Sequence, residues 1–394
     1  MLSHHFVCII FLLFVSLPAF SQSNDSAFKR KAEVWGYAFG DYYYKAHADK
    51  LERGVHQYWR IEEGRNAFQI RRIYLGGTYK IHPKFTAELL LAAEDNITDS
   101  HGITTGDLTK NDKLTFYIKL ANIRWKNVWK GTDLIIGQVG TPAFSTMVDP
   151  VWSYRCIERT LTDMRRTPSY DLGIALQGKF DPGTDNFGYN IMVGNGTGAR
   201  PENNKFKWFY GELYAKLLNK KLILDLYADY NRIDWQQGFH HSHNMVKGMV
   251  GYTTPVFTAG VEAFINFRQE DVVVTKNNFS DTADSRATGI SLFARGSIRK
   301  DKLNYFIRLD HFNPDTKISA IKNETYTGLS ASYEPNNNEY FFTAGLDFTP
   351  VKNVHFIPNV WFTKYVSKRA DVTDNMKSGN DLVYRVTFFY QFGR

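Results

Sequence analysis

The chain is short of cysteine, of long apolar runs and of any recognisable catalytic constellation. It has 394 residues and two cysteines, Cys8 and Cys156. Cys8 falls inside a leader-like start, so the rest of the chain keeps Cys156 alone and no internal disulfide framework is possible. Cys156 is expected as a small buried residue. After Gln22 no stretch approaches the run of about 18 apolar residues that a spanning helix needs. No Ser/His/Asp order singles out a hydrolytic site, and no enzyme activity is expected. Gly194-Asn195-Gly196-Thr197-Gly198 is rich in glycine, but no helical pattern follows to hold a phosphate. His240-His241-Ser242-His243 has no Cys or carboxylate at familiar ligand spacing and reads as a solvated loop. No cofactor, no metal and no nucleic-acid partner are expected.

What is present begins with the leader. Phe6 to Phe14 is apolar, and Ala19-Phe20-Ser21 has the small residues of a cleavage site, so residues 1–21 read as a signal peptide. The leader holds no Lys, Arg, Asp or Glu, so the full +8 formal charge belongs to the remainder. Aromatic residues make up 15% of the chain, with 23 Tyr and 30 Phe, and mean hydropathy is −0.37. A wall one residue thick between lipid and water gives that value, because each lipid-facing residue is averaged with a lumen-facing neighbour.

Strand side chains alternate between faces, so such a wall shows period two. Leu382, Tyr384, Val386, Phe388, Tyr390 and Phe392 share one face, with Arg385, Thr387 and Gln391 among the others. Phe257 to Phe267 repeats the pattern, with Glu262 and Asn266 opposite. Such segments predict about sixteen strands, near 32–44, 67–81, 84–94, 114–125, 132–138, 170–180, 186–194, 207–217, 221–233, 245–254, 256–268, 287–299, 303–313, 339–349, 354–365 and 381–392. Connections alternate. Short ones fall at 81–84 and 300–302, for example, and long ones at 45–66, 95–113, 139–169, 195–206, 234–244, 269–286, 314–338 and 366–380. Short turns on one side and long loops on the other fit a membrane barrel better than a soluble sandwich. Lipid offers the backbone no partners, so the sheet must close. The reading is all-β: a transmembrane antiparallel barrel over 32–394, preceded by a periplasmic lead at 22–31. Arg71 and Arg72 are adjacent and must face opposite sides unless a bulge intervenes.

Alternation stops at residues 140–169, which carry Pro142, Pro150 and Pro168 and the arginines Arg155, Arg159, Arg165 and Arg166. This segment is expected to fold into the lumen as a constriction loop. A helix over Ser153–Met164 would place Tyr154, Ile157, Leu161 and Met164 on an apolar face and Arg155 and Arg159 together on another. The four arginines would then supply fixed positive charge for anions, with Glu158 holding them in place. A plainer expectation is that they tie the loop to wall carboxylates such as Asp171 or Glu212. Inward positions by the same register include Lys119, Lys179, Arg268, Arg295, Arg308 and Arg385, and also Asp225, Asp229, Glu262, Asp310 and Asp347.

Several motifs resemble the phosphate-selective porins of the O and P type. They are Arg72-Ile73-Tyr74-Leu75-Gly76, Gly137-Gln138 with Thr141-Pro142-Ala143-Phe144, Ile157-Glu158-Arg159-Thr160-Leu161, Asp171-Leu172-Gly173-Ile174 and Asn195-Gly196-Thr197-Gly198. The resemblance implies a homotrimer of sixteen-stranded barrels in the outer membrane of a Gram-negative bacterium. Each barrel would have its own pore and a constriction loop after the fifth strand. It also implies contact with outer-membrane lipid and the barrel-insertion machinery, and passive diffusion of small, phosphate-like anions. The chain departs from the family at Tyr170, where Arg is usual, and in carrying Gly393 and Arg394 beyond the final aromatic Phe392. The competing reading is a surface-adhesion or structural barrel without transport.

Overall fold

A computed structural model describes residues 28–54, 56–94, 109–110, 113–165, 168–202, 204–234, 240–276, 279–317, 325–328, 335–369 and 377–393. The expected leader and Arg166 lie outside them. Among the described residues, sixteen long antiparallel strands form one sheet. They are β1 (Lys31–His47), β2 (Asn66–His82), β3 (Phe85–Glu94), β4 (Tyr117–Trp129), β5 (Thr132–Gly140), β6 (Tyr170–Lys179), β7 (Phe187–Gly194) and β8 (Trp208–Leu217). The second half follows as β9 (Leu222–Asp234), β10 (His240–Thr253), β11 (Phe257–Lys276), β12 (Phe279–Arg299), β13 (Leu303–Asn313), β14 (Asn337–Val351), β15 (Val354–Ser367) and β16 (Ser378–Phe392). Each pairs with its neighbours in sequence. Pairing of β1 with β16, from Gly36 opposite Phe392 to Tyr44 opposite Tyr384, closes the barrel. Closure leaves no unpaired edge.

The alternation in the sequence is the alternation of the wall. Val261, Leu292, Leu309 and Val386 stand exposed on the outer face. Aromatic residues flank that band: Tyr252, Phe257, Phe348 and Phe392 towards the short turns, and Phe209, Tyr230, Phe267 and Tyr340 towards the long loops. An apolar belt this large is built to meet lipid rather than water. The inner face carries the charges. Lys119, Asp171, Glu212, Asp225, Asp229, Glu262, Asp310, Asp347, Arg268, Arg308 and Arg385 are all buried. No described helix is long and apolar enough to cross a membrane.

The structure corrects the expected strand bounds in two places. Much of the loops expected at 234–244 and 269–286 is strand, because β10 begins at His240, β11 runs on to Lys276 and β12 begins at Phe279, with Lys276 opposite Phe279. Thr325–Gly328, expected within a loop, pairs with Val272–Thr275 at the far end of β11. Above the aromatic band both faces meet water, so strands continue there without apolar alternation. Arg71 and Arg72 both turn inward, through the kind of bulge that the sequence reading allowed for. The β1–β2 register slips between Phe39 and Gly40, opposite Arg72 and Ile70, and Arg71 is the extra residue. A bulge re-aims a side chain in this way.

Candidate pore constriction

The loop after the fifth strand, 141–169, enters the barrel as expected, with a different local structure. The helix expected over Ser153–Met164 is replaced by two short ones, α1 (Val148–Trp152) and α2 (Leu161–Met164). Ser153 ends α1 in the left-handed region at φ 63°, and residues 154–160 run between the helices without helical hydrogen bonding throughout. Arg155 and Arg159 therefore do not share a helix face.

What fixes this path is the wall. Trp152 is 1% exposed and meets Phe293 and Phe306 edge-on, at ring separations of 5.5 and 6.1 Å. Its Nε1–H donates to the Glu158 carbonyl at 2.9 Å, which folds the linker back on the helix. Tyr154 packs on Phe306 and donates to Asp347 at 3.1 Å. Val151 sits over Gly251 and Leu161 over Gly289, where an added Cβ would meet each at 2.9 Å. Glycine at these two wall positions leaves room for the loop.

Loop carbonyls and amides then find charged partners. Arg71 donates to the Cys156 and Ile157 carbonyls, and Arg385 to the Ile157 carbonyl at 3.2 Å. Arg295 donates to Val151 at 2.9 Å, and Arg308 donates to the Arg159 carbonyl. Glu262 accepts the amides of Leu161 and Thr162, at 3.2 and 3.3 Å, and the Thr162 hydroxyl. The expected lumen-facing cations Arg295, Arg308 and Arg385 thus point inward, Arg308 and Arg385 buried under the loop they hold and Arg295 partly exposed. Lys119 pairs with Glu94 on the wall. Lys179 lies at the turn end of β6, 3.3 Å from Asp185.

A second loop joins the first. The described residues 48–54 and 56–65, within the long connection expected at 45–66, send side chains into the lumen. Tyr58 is fully buried and accepts a hydrogen bond from Arg385 at 3.2 Å. Gln57 donates to Glu158 at 3.0 Å. Sequence reasoning listed this connection at 45–66 but missed its inward path, although the dense run His56-Gln57-Tyr58-Trp59 is an unusual composition for a solvated connection.

On the side of the long loops the constriction leaves a cavity lined by Arg72, Arg155, Arg159 and Arg165 with Glu158 and Glu339. Three of the four predicted arginines are brought together here. Arg155 bridges Asp149 and Asp163 at 2.9 and 2.5 Å, and Arg165 meets Glu339 at 2.6 Å. Arg159 is the loosest, 3.9 Å from Glu158. These arginines pair with Asp149 and Asp163 of the loop itself and with Glu339 of the wall, rather than with the expected Asp171 or Glu212. Glu158 also accepts from Trp361 Nε1 at 3.0 Å and from the Arg159 amide at 2.9 Å. Burial works to raise its carboxyl, but Arg159 and the Trp361 donor hold it below the ordinary Glu value. Cys156 is buried within the loop, and burial pushes its thiol up to about 12. On the other side a cavity is lined by Ser153, Tyr154, Arg295, Asp347 and His355.

Two of the motifs prove to be one structural unit. Asp171, at the start of β6, accepts from the Gly196 amide at 2.7 Å and the Tyr210 hydroxyl at 2.9 Å. Gly196 adopts φ 84°, a conformation glycine takes without strain.

No family model matches this sequence, and no curated protein does. Solved structures do resemble it. The outer membrane channel DcaP of Acinetobacter baumannii aligns at TM-score 0.62 and 10% identity, over 95% of this chain and 100% of that one. The barrel is a porin fold. OmpT of Vibrio cholerae gives TM-score 0.57 at 9% identity, over 93% and 99% of the two chains. An anion-selective porin from Comamonas acidovorans gives 0.56 at 10% identity, over 92% and 100%. Likeness at such identity establishes architecture and leaves selectivity to the residues of this lumen.

Proposed function

We propose that the protein is an outer-membrane channel through which small anions diffuse passively. The observation that carries this reading is the gathering of Arg155, Arg159 and Arg165 around one cavity beside the inward-folded loop. Fixed cations in a confined, low-dielectric passage lower the barrier for anions. Guanidinium groups also match the planar oxygen pairs of phosphate, which supports the family resemblance and makes a phosphate-like solute the first to try. Export by a cleaved leader, assembly as a homotrimer and insertion by the barrel-insertion machinery belong to the same reading, as does the absence of catalysis. The trimer is supported by OmpT of V. cholerae, described in a trimer form.

A second reading, a structural or adhesive barrel without transport, is favoured by how fully the loop fills the lumen. Ala143, Val148, Ile157, Leu161 and Thr162 are completely buried. Planar-bilayer recording separates the two. A channel gives ohmic steps, with reversal potentials favouring chloride and phosphate over potassium. Absence of steps from correctly folded protein overturns the transport reading.

A further inference from the structure

We propose that His241, His243 and Asp271 form a binding site for a transition-metal dication of the Zn²⁺ type, on the inner wall at the long-loop end of the barrel. This goes beyond the transport reading and does not depend on it.

The site comes from strand geometry. His241 and His243 are two apart on β10, so both imidazoles face inward. Ser242 and His243 pair with Gln269 and Arg268 on β11, and the β11–β12 register shifts between Arg268 and Val272. That bulge turns Asp271 inward beside the two rings. His241 Nδ1 lies 3.2 Å and His243 Nε2 2.8 Å from Asp271 Oδ1. One ligand atom from each residue lies within 4.8 Å of the others. Bonds of about 2.1 Å in a tetrahedron put ligand atoms about 3.4 Å apart, so small side-chain rotations suffice.

A pair of histidines on one carboxylate is in itself an ordinary hydrogen-bonded cluster. The second oxygen argues for more. Asp271 is 1% exposed, and its Oδ2 is buried with no hydrogen-bond partner among the described residues. Leaving a carboxylate oxygen so costs desolvation that a cation recovers. Two nitrogens and one carboxylate suit Zn²⁺, Ni²⁺ or Cu²⁺, and leave a position for water. The neighbouring Arg268 charge, felt at both His243 and Asp271, works against weakly held cations. Ca²⁺ and Mg²⁺ want six or more oxygens and are disfavoured. Binding moves the ring protons of His241 to Nε2 and of His243 to Nδ1, freeing the facing nitrogens.

The test uses the full chain, folded in detergent and carrying no polyhistidine tag. Co²⁺ is titrated while visible absorption is recorded, then displaced with Zn²⁺. One Co²⁺ per chain with the bands of a four-coordinate site is expected, unmoved by excess Ca²⁺ or Mg²⁺. His243→Gln and Asp271→Asn are each expected to weaken binding at least tenfold. Their folding is verified by heat-dependent mobility in dodecyl sulfate gels. No saturable Co²⁺ binding by folded protein, or equal binding by the His241→Ala/His243→Ala double variant, overturns the proposal.

Discussion

Replacing Arg159 with Gln tests the transport reading most directly, because the change removes a loosely paired charge and leaves the backbone contacts in place. Its backbone amide and carbonyl hold Glu158 and Arg308, and both survive the substitution. Its guanidinium lines the cavity and stands 3.9 Å from its carboxylate, whereas Arg155 and Arg165 sit at 2.5 to 2.9 Å from theirs. Two unit charges about 6 Å apart in water-like surroundings interact by about 0.7 kcal/mol. Losing the cation raises the anion's barrier by that amount and lowers the potassium barrier equally. The permeability ratio then moves by about 1.4 kcal/mol, roughly tenfold, and salt near 0.1 M trims this to about three- to tenfold. The assay is the reversal potential across a potassium chloride gradient, with single-channel conductance as control. Normal conductance with an unchanged reversal potential refutes the reasoning, since Arg159 would then lie off the permeation path.

Glu262→Ala removes the acceptor for two α2 amides and a hydroxyl. With rehydration of those groups allowed for, docking of the loop is expected to weaken by about 2–4 kcal/mol. The readouts are excess open-channel noise and protease cleavage within 141–169, and wild-type behaviour in both sinks the assignment. Cys156, buried and with its thiol pushed up to about 12, is expected to resist maleimide at pH 7. Trp152→Ala, which vacates the space between Phe293 and Phe306, is expected to speed labelling at least tenfold, and equal rates would show that the aromatic anchor does not hold the loop. Glu158 is held below its ordinary value, so its contribution is complete above that value and is lost as pH falls through the lowered one. Channel noise is therefore expected to rise on acidification only below about pH 4, and a rise already near pH 6 points to another group.

How much of this was legible in advance follows from where the two solvents lie. Within the aromatic band one face meets apolar surroundings and the other does not, and there the period-two reading of Phe257–Phe267 and Leu382–Phe392 matches the wall. Beyond the band the physical contrast disappears, so the extensions of β10, β11 and β12 carried no such signature. The same blindness put His241 and His243 in a solvated loop. Their carboxylate partner lies on the adjacent strand, and no spacing along one segment reveals a cross-strand neighbour. The constriction loop was visible as a break in alternation, but its helix was not. Tyr154, Ile157 and Leu161 have helical spacing, yet they pack against different strands. Contacts to Phe306, Arg385 and Gly289 outweigh a local preference that is weak in so short a segment.

Charge inside the barrel shows why counting residues misleads about selectivity. By register, cations and carboxylates face inward in comparable numbers, which as a sum argues for no preference. Yet burial sorts them. A charge removed from water must be paired, so Arg71 with Asp41, Lys247 with Asp225 and Arg308 with Asp310 are closed units that contribute little field along the axis. The residues left to act on a passing ion are those that line the cavity and are partly exposed. Arg155 stands between two carboxylates and is overcompensated there, so it serves the loop's shape before it serves an anion. On the proposed transport reading, selectivity would rest on the loosely paired Arg159 and on its geometry with Arg165 and Arg72, a set too small for any composition to disclose.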